Sequence, residues 1–315
     1  MIELEHVTKK YGSITALSDV SFRAENRRTV GLLGRNGAGK TTALNLMTGY
    51  MPPDSGRVLV DGMDMMTHAR ECKRRIGYLP ERPPLYDEMT VREYLNFVCD
   101  LKEVMRKDRK AHTDEITEMC ALTDVRDRLI GHLSKGYRQR VGIAQALCGN
   151  PELIILDEPT VGLDPMQVVE IREMIRELGK DHTVLFSSHI LTEVQQLCSA
   201  AVILNVGRMI RTVDLTGEGS DTMTLRVSVV GKPKDILPGV RSIEGIRKTE
   251  TLSSGDPGVT ELRLTCAKKT ARGRVTDQLF HLFAAMDAPI RMLAPEADSL
   301  EDIFLHATER EDDVP

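Results

Sequence analysis

Short apolar runs alternate with longer stretches of helical period over the first two-thirds of the chain. TVGLLG (29–34), LIILD (153–157), TVLFSS (183–188) and AVILNVG (201–207) are β-rich runs too short for helices. Apolar runs separated by helical sequence predict a mostly parallel sheet wrapped by helices, an α/β domain over residues 1–215. Between Tyr86 and His132 the β runs vanish and charge-rich helical sequence takes over. In REYLNFVCDLKEVMRK the residues Tyr94, Leu95, Val98 and Leu101 recur at helical spacing. That predicts a helical subdomain, residues 86–150, inserted into the α/β domain.

After Asp214 the stretch LTGEGSDT is rich in Gly, Ser and Thr and reads as a linker over 216–222. A second pattern follows, over 223–315. Met223, Leu225, Val227 and Val229 alternate with polar residues, as do Leu262 and Leu264, which marks half-buried strands. Val275, Leu279, Leu282, Phe283 and Met286 follow a helical period. With a short helix near Ile236 and a strand near Ile290, the order is βαββαβ. A small α+β domain of ferredoxin-like type accommodates it.

Composition narrows the function classes. The chain has 315 residues, 41% of them hydrophobic, enough to bury a sizeable core. A formal net charge of -5 offers no field for nucleic acid, whose binding depends on Lys and Arg neutralising phosphates. The 6 cysteines lie far apart, without the close pairs of zinc or redox motifs, and read as reduced core thiols of a cytosolic protein. The opening MIELEHVTKK carries acids where a signal peptide needs a basic and then an apolar segment. Runs such as Leu153 to Leu156 are far short of the roughly 20 apolar residues a spanning helix needs. Any membrane is therefore served from outside the lipid.

The segment from Gly34 to Thr41 reads GRNGAGKT and matches G-x-x-x-x-G-K-[ST]. It follows the run TVGLL and precedes TALNLM, which suits a strand and a helix. Gly34, Asn36, Gly37, Ala38, Gly39, Lys40, Thr41 and Thr42 form the nucleotide-binding set. Glycines let backbone N–H groups turn toward phosphate oxygens, and the helix points its positive end at them. Lys40 is expected on the β and γ phosphates of ATP and Thr41 on Mg²⁺. Leu153 to Leu156 lead into Asp157 and Glu158, and a buried strand rarely ends in adjacent acids without a cation to hold. Asp157 is assigned to the Mg²⁺ shell and Glu158 to the attacking water.

These two motifs leave kinases, GTPases, helicases and transport ATPases open, since one fold hosts many functions. The stretch LSKGYRQRVGIAQAL decides among them, with Ser134 and Gly136 at the start of an amphipathic helix. It resembles the LSGGQ signature of ATP-binding cassette (ABC) proteins. The resemblance implies two cassettes facing head to tail, with Ser134 and Gly136 closing on the ATP of a second cassette, a copy of this chain or a related ATPase. By the same resemblance Tyr11 stacks on adenine, Asp164 touches the partner cassette, and His189 in SSHILTEV contacts the γ-phosphate. The family's glutamine near Mg²⁺ is replaced by Glu81, and the signature carries Lys135 and Tyr137 in place of Gly and Gln. A glutamate still offers Mg²⁺ an oxygen.

LPE-PPLY-EMTVREYL and the tail Ser299 to Phe304 further resemble ATPases of ABC-2 type exporters, including gliding-motility-like, drug and copper-maturation systems. The expected protein is therefore an ATPase that drives a separate membrane-spanning permease of ABC-2 type from the inner face of the cell membrane. Pro83, Leu85 and Tyr86 are expected to receive that permease. The alternative, a soluble ABC ATPase acting on ribosomes or DNA, is disfavoured by the one P-loop and the lack of sustained heptads.

Overall fold

The computed structural model describes residues 1–216, 222–267 and 274–296, together with Leu300 and Phe304. The other residues of the expected 299–304 ending, and most of the expected linker, lie outside the described residues. The chain divides into two compact units, Met1–Thr216 and Gly217–Pro315.

The first unit opens with β1 (Ile2–Tyr11) and β2 (Ile14–Ala24), an antiparallel hairpin. It continues through β3 (Thr29–Leu33), α1 (Lys40–Met47), β4 (Ser55–Val60), β5 (Met63–Asp64), α2 (Ala69–Arg74) and β6 (Ile76–Leu79). Three helices follow, α3 (Val91–Leu101), α4 (Arg106–Met119) and α5 (Lys135–Leu147). Then come β7 (Leu153–Asp157), α6 (Pro165–Asp181), β8 (Thr183–Ser188), α7 (Leu191–Leu197), β9 (Ala200–Asn205) and β10 (Arg208–Asp214).

Strands β10-β9-β3-β8-β7-β6 form one sheet, parallel except for the β10–β9 pair. Every residue of β3, β7, β8 and β9 is buried, which is why these strands read as continuous apolar runs. Strands β2-β1-β4-β5 form a second, antiparallel sheet that the apolar runs did not announce. Register shifts between Leu4 and Lys10 break its period-2 alternation and hide it from pattern reading. One core joins Ile2 and Leu4 of this sheet to Leu44 and Met47 of α1 and to Leu32, Ile155 and Leu185 of the parallel sheet. Helix α1 is thus held from both sides, and with it the loop that precedes it.

In the helical segment, Thr90 and Glu93 form a reciprocal capping box that starts α3. The helical period read through 92–107 does not continue unbroken. Helix α3 stops at Leu101, which is exposed rather than buried, and Glu103 takes a left-handed φ of 59°. The turn lets Lys102 donate to the carbonyls of Lys73 and Ile76 at 2.8 and 2.6 Å, capping α2 and the start of β6. All six cysteines are free and buried.

The second unit contains β11 (Thr222–Val230), α8 (Pro233–Arg241), β12 (Ile246–Leu252), β13 (Val259–Ala267), α9 (Arg274–Ala285) and β14 (Ile290–Glu296). The sheet order β12-β13-β11-β14, with every pair antiparallel, is that of a ferredoxin-like sandwich. Leu225, Val227 and Val229 pack with Ile236 of α8 and with Leu279 and Phe283 of α9.

Candidate functional site

Buried β3 ends at Leu33, and the chain turns through Gly34–Gly39 into α1. Gly39 takes φ 101°, and a Cβ there would lie 2.7 Å from the Ala16 carbonyl oxygen, so a side chain fails on both counts. Among the described residues no side chain caps α1, which leaves its first N–H groups for an anion. Lys40 is buried, donates to the Gly34 carbonyl at 2.8 Å and lies 3.3 Å from Glu158 Oε1.

Asp157 and Glu158 stand where β7 ends. The Asp157 Oδ1 accepts from Ser187 Oγ at 2.6 Å, while its buried Oδ2 has no hydrogen-bond partner among the described residues. Burial pushes the Asp157 carboxyl above its ordinary value; the Ser187 bond and the nearby Thr41 hydroxyl oppose the rise, and the charges of Glu158 and Glu81 add to it. Glu158 has a left-handed φ of 48° and donates its N–H to Ser187 Oγ at 2.9 Å. Its Oε2 lies 2.9 Å from His189 Nδ1. Ser187, which the motif reading did not single out, therefore holds both acids.

A cavity of about 560 Å³ lies against these groups. Asn36, Gly37, Ala38, Gly39, Lys40, Thr41, Thr42, Glu81, Glu158 and His189 all line it. Gly34 is reached through Lys40, and Asp157 lies 1% exposed behind the lining. Exposed Ile14 and Val206, with Thr15 and Ala16, form a further part of the wall that the motifs did not disclose. Isolated apolar residues at turn tips carry no motif, and only their exposure beside a phosphate loop marks them.

Other candidate residues lie outside this lining. The Tyr11 hydroxyl donates to Met51 Sδ at 2.9 Å, with the residue 46% exposed. Ser134 caps α5, accepting from the Tyr137 N–H, and Asp164 caps α6, accepting from the Gln167 N–H. A Cβ on Gly136 would lie 2.5 Å from Gln167 Cδ, so α5 and the start of α6 touch at a position that needs glycine. Lys135 extends its ammonium group over Gly162, in the loop that ends at Asp164.

A buried lysine beneath a glycine loop, with two acids at the end of β7, which β8 separates from β3, defines a P-loop nucleoside triphosphatase. The family model described as ABC transporter matches residues 17–161. The chain is 40% identical to ABC transporter ATP-binding protein NatA of Bacillus subtilis over 62% of its own length and 81% of that protein. It is 32% identical to the linearmycin resistance ATP-binding protein LnrL of Bacillus subtilis, over 98% and 99% respectively. The dimeric structure of a bacterial ABC transporter cassette superposes with a TM-score of 0.64 at 27% identity, covering 69% of this chain and all of that one. The chain belongs to the family of ABC transporter ATP-binding proteins: it binds and hydrolyses ATP and powers a transporter. Among the described residues no helix is long and apolar enough to cross a membrane.

Proposed function

We propose that this ATPase works as one of two paired cassettes that drive an ABC-2 type permease, carried on a separate chain, in the direction of export. The observation that carries the pairing is the separation within one chain: Lys40, Glu158 and His189 share the cavity, while Ser134, Gly136 and Asp164 do not line it. A second cassette supplying its own Ser134 and Gly136 completes each site. The dimeric cassette structure noted above supports this reading. Export is supported by the resemblance over nearly the whole chain to a protein named for linearmycin resistance.

In this reading ATP places its phosphates on the loop from Gly34 to Thr42, with Lys40 on the β and γ groups and the base near Tyr11. The unpartnered Oδ2 of Asp157, with Thr41 and Glu81, fits a Mg²⁺ ion. Among the described residues there is no cluster of three or more His, Cys, Asp or Glu able to hold a metal. Phosphate oxygens would complete the set, as Mg²⁺ prefers. When bound, the ion would supply positive charge that offsets the negative charge of the phosphates. Glu158 accepts the proton of the attacking water, His189 fixes that water and the γ-phosphate, and the bond to the β-phosphate breaks to leave ADP and phosphate.

A groove of about 640 Å³ beside α3, lined by Arg70, Lys73, Tyr86, Tyr94 and Phe97, is the proposed seat of the permease. Tyr86, 44% exposed, lies edge-on to Tyr94 with ring centroids 5.9 Å apart. Pro83 instead packs toward Gly142 of α5, and Leu85 does not line the groove.

The test is ATPase turnover of the chain beside Glu158→Gln, with sizing of that variant with and without ATP. The reading expects the variant to stall as an ATP-dependent dimer. A variant that stays monomeric and equally active overturns both the pairing and the role of Glu158.

A further inference from the structure

The ladder between β7 and β8 ends at Asp157↔Ser187. Glu158 and His189 each lie beyond it, on loops the sheet no longer registers. Yet their side chains meet at 2.9 Å, so something past the ladder must hold the two loops together.

Glu193, on α7 and 1% exposed, sits where that is done. Its Oε2 accepts from Thr160 Oγ1 at 3.1 Å and from Ser188 Oγ at 2.9 Å. Thr160 follows Glu158 by two residues, and Ser188 immediately precedes His189. Ser188 Oγ also accepts the Ile190 N–H at 3.0 Å, so both neighbours of His189 are tied to one hydroxyl. The other carboxylate oxygen accepts from Arg172 Nη2 of α6 at 3.1 Å. A carboxylate only accepts, and here every donor is oriented toward it from a different segment. A buried charge is retained only when paired and hydrogen-bonded, and Arg172 supplies the pairing.

We infer that Glu193 is a positioning residue that sets the register between the loop carrying Glu158 and the loop carrying His189. The inference rests on the proposed roles of those two residues. Through Arg172 the same carboxylate grips α6, so the loop from Val161 to Asp164 is held at both ends, by Thr160 before it and by Arg172 after it. Thr160, Ser188 and Arg172, its hydrogen-bond partners, do not line the cavity; the carboxylate acts by fixing where the cavity groups stand. A small displacement of reacting groups is costly, on the order of 100-fold in rate for about 1 Å.

The experiment measures kcat and KM for ATP in Glu193→Gln, Thr160→Val and Thr160→Ser, with thermal unfolding of each and Glu158→Gln alongside. Valine keeps the volume of threonine and removes the hydroxyl, whereas serine keeps the hydroxyl and removes a methyl. The expected result is a fall in kcat of about tenfold or more for Thr160→Val and Glu193→Gln, with KM within about twofold, and near-normal turnover for Thr160→Ser. If Thr160→Val turns over at the parent rate, or Thr160→Ser is as damaged as Thr160→Val, the positioning role is wrong. The threonine pair decides the matter even where Glu193→Gln fails to fold. Should Glu158→Gln itself keep turning over, the underlying site assignment fails; should it stall while Thr160→Val does not suffer, only the role of Glu193 fails.

Discussion

The Lys40 ammonium and the Glu158 carboxylate face each other at 3.3 Å, with side chains 7% and 11% exposed. The pair joins the phosphate loop to the end of β7 across the cavity. A triphosphate that takes Lys40 must compete with Glu158 for it, and the Glu158 charge also opposes the incoming γ-phosphate.

Replacing Glu158 by Gln removes both oppositions while keeping the shape. ATP is expected to bind about fivefold or more tighter, the worth of roughly 1 kcal/mol for one ion pair. Turnover falls by at least about 100-fold, the usual contribution of a positioned base. Fluorescent-nucleotide titration and phosphate release read the two effects separately. Weaker binding in the variant contradicts the competition.

Gly39→Ala tests the cradle. The left-handed φ of 101° alone costs a side chain roughly 1–2 kcal/mol, and the Ala16 carbonyl blocks the added methyl. The loop must shift to relieve the contact, so nucleotide affinity is expected to fall by more than tenfold while far-ultraviolet circular dichroism stays unchanged. Normal affinity shows that the loop tolerates a Cβ and that the glycine is not required by geometry.

The P-loop and the acids at the end of β7 were legible because each motif is contiguous and its strand is fully buried, so local sequence carries the whole signal. Ser187 and Glu193 were not legible. Serine and glutamate are common residues, and only the fold brings Ser187 against Asp157 or Glu193 against Thr160. The antiparallel sheet was hidden by the bulges in β1, and the end of α3 by a left-handed residue, Glu103, that no propensity favours. Order within the second unit was readable for the opposite reason. Burial in β13 alternates without a break from Val259 to Ala267, and its core strands carry apolar residues at the same period.

Glu81 is an exposed acid on the cavity wall and the smallest of the influences that raise Asp157. An exposed charge near other charges is largely screened by solvent. Glu81→Gln is therefore expected to change kcat by less than about threefold and to leave the Mg²⁺ concentration for half-maximal activity within about threefold. A Mg²⁺ titration of ATPase activity checks this. A tenfold loss of activity means that the carboxylate, rather than any oxygen at that position, is needed.

His112 gives the first unit a sensitivity to acid. Its Nε2 accepts the Gly149 N–H at 2.9 Å, tying α4 to the turn after α5. Burial holds the imidazole below its ordinary value of 6.5, against a smaller opposing pull from Glu115. A base whose folded value is lowered takes up its proton in the unfolded chain first. Its contribution is therefore fully present above pH 6.5 and is lost as pH falls from 6.5 toward the folded value. Protonation also converts the acceptor nitrogen into a donor that the Gly149 N–H cannot use. The melting temperature is expected to drop between pH 7 and pH 5.5 in the parent chain. His112→Gln, which offers an acceptor without titrating, flattens that part of the drop while costing about 1 kcal/mol or less at pH 7. An equal slope in both proteins over this interval assigns the acid sensitivity elsewhere.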